Sequence, residues 1–129
     1  VARFLSPEWF DDVNAAAAND DVSAAVTPGL RLVVQQIVTD GPDGEVRYAV
    51  RIEDGKVAVV PGEAGEPDVT VTEDHATATA VAQGELAAPV AFMTGRIRVS
   101  GDTRVLLSAQ PVLHRLDAVF ASVRERTSY

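Results

Sequence analysis

The chain has 129 residues and a formal net charge of -8, from 11 basic and 19 acidic residues, with a single lysine and no cysteine. That length supports one hydrophobic core, so 1–129 is expected to form a single domain. The charge disfavours nucleic acid and stable membrane association as partners. The missing cysteines exclude disulfides, thiolate metal sites and cysteine nucleophiles. No apolar run approaches the roughly 18 residues of a membrane span. The opening VARFLSPEW shows no charged-then-apolar secretory pattern, so the expected location is cytoplasmic. The apolar residues include 20 Ala and 21 Val but only four Phe, two Tyr and one Trp. Such a core is built from small and β-branched side chains, with a few large ones in decisive places.

Ser6 and Pro7 open a first helix as N-cap and first helical residue. Leu5 and Phe10 fit a hydrophobic staple across its start. Trp9, Phe10, Val13, Ala16 and Ala17 share one face. A short second helix is expected to about Val26, stopped by Pro28-Gly29. Strands follow over Leu30–Thr39 and, after a turn at Asp40–Gly44, over Val46–Glu53. In the latter, Val46, Tyr48, Val50 and Ile52 alternate with polar neighbours. Asp54-Gly55 predicts a two-residue hairpin turn into Lys56–Val60. A loop, Pro61–Pro67, precedes a strand at Asp68–Thr72. Four consecutive strands suggest a meander with helices over its apolar face.

Thr72 is expected to cap the next helix, with Glu73, Asp74 and His75 in its first turn and Gly84 ending it. Pro89–Gly95 reads as a short helical turn carrying Val90, Phe92 and Met93, and Arg96–Gly101 as a fifth strand with Ile97 and Val99 inward. Asp102–Ser108 is a further helix. Pro111 opens a terminal helix whose stripe holds Val112, Leu113, Leu116, Val119, Phe120 and Val123. The order is that of an α+β domain with five strands.

No catalytic constellation emerges. His114 falls opposite the terminal helix's apolar stripe, and His75 has no second nearby histidine or HExxH spacing for a metal. Asp40, Asp43 and Glu45 lack a calcium-loop pattern. No nucleophile elbow, dinucleotide fingerprint or phosphate loop is present, and no cofactor is expected. Arg47, Arg51 and Arg98 read as a solvated sheet face. Gln36, on the apolar side of its strand, needs a partner from backbone, water or ligand.

The run from Pro67 to Asp102 holds Pro67-Asp68-Val69-Thr70, Gly84-Glu85, Ala91-Phe92-Met93-Thr94-Gly95 and Gly101-Asp102 in order. This ordered set resembles the sterol carrier protein 2 family of non-specific lipid-transfer domains. FLSPEWFDDVN and LRLVVQQIVTDGPDGEVRYAVRIEDGKV look like bacterial, especially actinobacterial, members. The terminal Arg126-Thr127-Ser128-Tyr129 does not match the peroxisomal targeting tail of eukaryotic relatives. The resemblance implies a five-stranded, mostly antiparallel sheet with helices over one face and an apolar tunnel between them. It further implies non-catalytic binding, and carriage, of a lipid, sterol or other apolar small molecule such as a fatty acyl chain. Phe92, Met93, Ile97, Val99, Leu116 and Phe120 are the expected lining, in a monomer or homodimer. The competing readings are a dimerisation or interaction module without a cavity, and a small enzyme using His75 or Glu73 on an apolar substrate.

Overall fold

The computed structural model describes residues 2–19, 29, 31–42, 44–53, 56–108 and 118–129. The expected second helix up to Val26, the Asp54-Gly55 turn, and Pro111 with Val112, Leu113, His114 and Leu116 lie outside these residues. A short strand β1 (Ala2–Arg3) leads into helix α1 (Pro7–Asn19). Ser6 caps α1 as expected: its hydroxyl oxygen accepts from the Trp9 N–H at 3.3 Å and its carbonyl from the Phe10 N–H at 3.1 Å. Leu5 and Phe10 are both buried in the core, in keeping with the staple.

Strands β2 (Leu32–Gly41), β3 (Gly44–Glu53), β4 (Lys56–Pro61), β5 (Val69–Asp74) and β6 (Ile97–Gly101) form one sheet. Glu53 stands opposite Lys56 at the end of the antiparallel β3–β4 pairing. Tyr48, Val50 and Ile52 are buried on the core face and Val46 packs at its margin, as the alternation required.

The expected meander is wrong at its fourth strand. The order is β4-β3-β2-β5-β6, with β5 beside β2 and parallel to it, while the other three junctions are antiparallel. The cause lies in how residues 61–68 are held. Gln35 is buried on the back of the sheet. Its amide nitrogen donates to the Tyr48 carbonyl at 2.9 Å, and its amide oxygen accepts from the Ala64 N–H, which fastens the loop across that back face. Asp68 then grips Val33 twice. Its N–H donates to the Val33 carbonyl at 2.9 Å, and its carboxylate accepts from the Val33 N–H at 2.8 Å. Val69 is thereby delivered to the free edge of β2 rather than to β4.

Helix α2 (His75–Ala82) begins later than the expected Thr72 cap. Asp74 is the cap, its carboxylate accepting from the Thr77 N–H at 2.7 Å. Thr72 and Glu73 stay extended because both flanking strands pair with them: Ile37 and Arg98 for Thr72, Val38 and Ile97 for Glu73. Gly84, at φ 79, closes α2 as expected, with the Glu85 N–H donating to the Ala80 carbonyl at 2.9 Å. Helix α3 (Ala88–Met93) carries Pro89 in its first turn, and β6 leads into α4 (Thr103–Ser108).

Residues 118–123 are helical and run into a 3-10 turn, Arg124–Arg126, and a last strand β7 (Thr127–Ser128). Strand β7 pairs with β1 in parallel, Ala2 opposite Thr127, joining the two ends of the chain. Helix α1 lies along β4. The Asn14 amide donates to the Val59 carbonyl at 2.7 Å and accepts from the Val59 N–H at 2.8 Å. The core combines α1 (Trp9, Phe10, Val13, Ala17), the sheet, Ala78 of α2, and Val119 and Val123. Among the described residues, no helix is long and apolar enough to cross a membrane.

Candidate functional site

The core face of the sheet is not wholly apolar. The alternation Val69, Val71, Glu73 along β5 carries a carboxyl onto it, between Val38 of β2 and Ile97 of β6, both buried. Burial, and secondly the charge of Asp74, push the Glu73 carboxyl up to about 7. Tyr48 on β3 shares this face, opposite Gln36. Burial first, and the Glu73 charge second, push its phenol well above the usual range.

Over these groups lies a pocket of about 340 Å³. Its floor includes Tyr48 and Glu73, and one wall is Ala78, Val81 and Ala82 of α2. Gly84, Leu86, Ala87 and Pro89 continue that wall towards α3. Phe4, Trp9, Phe120 and Arg124 complete the other side. The aromatic side is tightly built. Trp9 stacks on Phe120, centroids 5.8 Å apart and planes 2° from parallel, and meets Phe4 edge-on at 5.1 Å. Trp9 is 2% exposed, and its indole N–H is buried with no hydrogen-bond partner among the described residues. Arg124 is tied back, its Nε donating to the Ala82 carbonyl at 2.8 Å.

Of the six residues expected to line a cavity, Phe120 lines this pocket. Ile97 is buried across from Glu73, and Val99 is half-buried across from Val71. Both sit one strand beyond the pocket's floor. Phe92 and Met93 are 54% and 82% exposed on α3, the helix whose Pro89 forms part of the wall. Leu116 lies outside the described residues. Phe4, Tyr48 and the inward face of Glu73 were missed. The signal for Glu73 was available: the Val69-Val71 alternation continues in phase through it.

His75 does not join Glu73. It borders a second hollow with Phe4, Gly41, Pro42 and Tyr129, its ring 5.9 Å from Phe4. Arg47 is engaged by Glu45 at 2.8 Å and Glu63 at 3.2 Å on the exposed face, while Arg51 and Arg98 are exposed. Among the described residues, no three His, Asp or Glu side chains gather as a metal site.

Comparison with solved structures places this architecture. A sterol carrier protein 2 from Yarrowia lipolytica, in its apo form, superposes with a TM-score of 0.64 at 16% identity, covering 91% of this chain and 95% of that one. A protein from Thermus thermophilus gives 0.65 at 20% identity, covering 100% and 93%. A palmitated sterol carrier protein 2-like protein from Aedes aegypti gives 0.57 at 24% identity, covering 80% and 93%. These likenesses establish the α+β fold. No curated protein sequence matches the chain. The model of the SCP-2 sterol transfer family matches residues 10–114, most of the chain, and the protein therefore belongs to that family.

Proposed function

We propose that this protein binds and carries a lipid, sterol or other apolar small molecule, without catalysis, in the pocket between sheet, α2 and the C-terminal segment. The supporting observation is the pocket itself: about 340 Å³, walled by alanines, Val81, Leu86 and an aromatic cluster. Pockets that take small ligands run from roughly 300 to 1,000 Å³ with mainly apolar walls and few polar groups. A ligand hiding roughly 400 Å² of apolar surface gains about 10 kcal/mol gross. Lost ligand freedom offsets much of that, which gives an affinity of about micromolar. The palmitated Aedes aegypti neighbour is consistent with an acyl occupant.

In the loaded protein we assign ligand contacts to Phe120 and, as the pocket enlarges, to Phe92, Met93, Ile97, Val99 and Leu116. Helix α3 spans only Ala88–Met93 and its N-cap, Ala87, supplies no side-chain cap. A helix so short and uncapped can turn Phe92 and Met93 onto a ligand, and Met adapts to varied shapes. The whole chain then works as one cargo-holding domain, placed in the cytoplasm. Extraction of purified protein followed by mass spectrometry is the test. A co-purified apolar molecule is expected. Its absence, together with no saturable binding of acyl or sterol probes, overturns the reading.

A second reading is self-association through α3. Val90, Phe92 and Met93 are all exposed there. Sedimentation of the purified protein separates the two: a monomer that binds ligand removes the dimer reading.

A further inference from the structure

Phe4 is common to two hollows. It lines the pocket of about 340 Å³ and also the second hollow, of about 570 Å³, that His75 borders. Its half-buried ring meets Trp9 of the pocket at 5.1 Å, and Tyr129 and His75 of the second hollow at 5.1 and 5.9 Å. The floors are neighbours as well. Tyr48 floors the pocket, and Val46, two residues back along β3 on the same face, borders the second hollow, a step of about 7 Å. The backbone holds the Phe4 ring there at a cost. Arg3 to Ser6 form a turn closed by the Ser6 N–H on the Arg3 carbonyl at 3.0 Å, and within it Leu5 sits at φ 65, a left-handed conformation that disfavours any side chain. Such a conformation persists only where its surroundings over-determine it. Here they do: Leu5 is buried in the core, and the Phe4 N–H donates to the Ser128 carbonyl at 2.8 Å.

We propose that Phe4 is a partition between the two hollows and sets the length of aliphatic chain that the site accepts. This rests on the pocket being an apolar-ligand site. A methylene takes about the volume of a water molecule, ~30 Å³, so 340 Å³ holds a chain of about eleven carbons. A longer chain buries its excess only where the Phe4 ring gives way to the second hollow. That hollow has apolar walls to receive it, in Pro7, Pro42, Val46 and Tyr129. With the ring in place, the added methylenes stay in water and contribute nothing to affinity.

The test is isothermal titration calorimetry with decanoate, laurate, myristate and palmitate, each kept below its aggregation concentration. In the wild type, affinity is expected to rise about three- to fourfold per methylene up to a break near laurate. Laurate, myristate and palmitate then bind within about threefold of one another. In Phe4→Ala the break is expected to move out to palmitate, which exceeds laurate by about tenfold or more, while decanoate binds no better than before. Phe4→Leu keeps an apolar side chain in the core. It is expected to move the break the same way by less, and it decides the matter if Phe4→Ala does not fold. Phe4→Trp is expected to keep the wild-type break. A break at one chain length in the wild type and in the folded alanine and leucine variants overturns the partition but leaves the apolar site standing. So does a wild-type affinity that climbs without a break to palmitate. Failure of every acid to bind the wild type overturns the site and the partition with it. A thermal melt of each variant confirms that a folded protein was compared.

Discussion

Glu73 keeps its proton to about pH 7 in the folded chain, against the usual 4.5, because burial and Asp74 oppose its charge. Between those two values the unfolded chain has released a proton that the folded chain retains. Stability is therefore fully present below about 4.5 and falls as pH rises through 7. Partial solvent access trims the loss to the order of 1–3 kcal/mol. Urea unfolding of the empty protein at stepped pH is expected to show that decline, and Glu73→Gln to flatten it. A profile unchanged by the substitution removes Glu73 as its source. Gly101 carries a different constraint. It sits at φ 99 where β6 meets β5, and a β-carbon there would run into the Asp68 carbonyl, which is backbone and cannot swing aside. Gly101→Ala combines a left-handed backbone with that clash and is expected to cost about 2–4 kcal/mol, read as a lower urea midpoint.

Elements here are fixed by polar groups that a hydrophobic pattern does not see. Periodicity gave α1, the five strands of the main sheet and the faces of β3 correctly, because burial itself produces those periods. It placed β5 in the wrong position, since alternation specifies a face and not a neighbour. The neighbour was chosen by Gln35 and Asp68, whose hydrogen bonds run to backbone 13 or more residues away in sequence. The start of α2 slipped for a related reason. Thr72 is a good cap locally, but pairing on both sides keeps it in the sheet, and Asp74 takes the cap. That shift carried Glu73 from an exposed first turn to the pocket floor, in phase with Val69 and Val71 once the strand runs on to Asp74. The same logic binds α1 to the sheet. Asn14 supplies both a donor and an acceptor to Val59 on β4, as an added strand would. Asn14→Ala leaves both backbone groups unpaired in a half-buried seam. A loss of about 1–3 kcal/mol is expected, measured by denaturation. Asn14→Asp, which keeps the acceptor but not the donor, should lie between.

Across the whole molecule, the scarce large side chains gather rather than disperse. Phe4, Trp9, Phe10, Tyr48, Phe120 and Tyr129 form one chain of ring contacts, drawing on the N-terminal turn, α1, β3 and both parts of the C-terminal segment. Small residues fill the opposite wall of the pocket, along α2. The alanine and valine excess of the composition thus has a spatial meaning: bulk on one side, space on the other. The pairing of β1 with β7 matters to the site because it holds Phe4, through its N–H to the Ser128 carbonyl at 2.8 Å, against Trp9. A ligand in this pocket touches elements from both ends of the chain, so binding must oppose global unfolding. At a free concentration near 100 times the dissociation constant, linkage adds about 2.7 kcal/mol, a rise on the order of 10 °C in melting temperature for a domain of this size. Trp9, the single tryptophan, stands in the pocket wall and should report the same event. A fatty acyl or sterol probe is therefore expected to change tryptophan emission and raise the melting temperature with one shared dissociation constant. Removing Thr127, Ser128 and Tyr129 frees Phe4 from β7 and should weaken that constant several-fold while the sheet remains folded. Emission that saturates without any thermal shift would mean that the probe sits on a surface and not in the pocket.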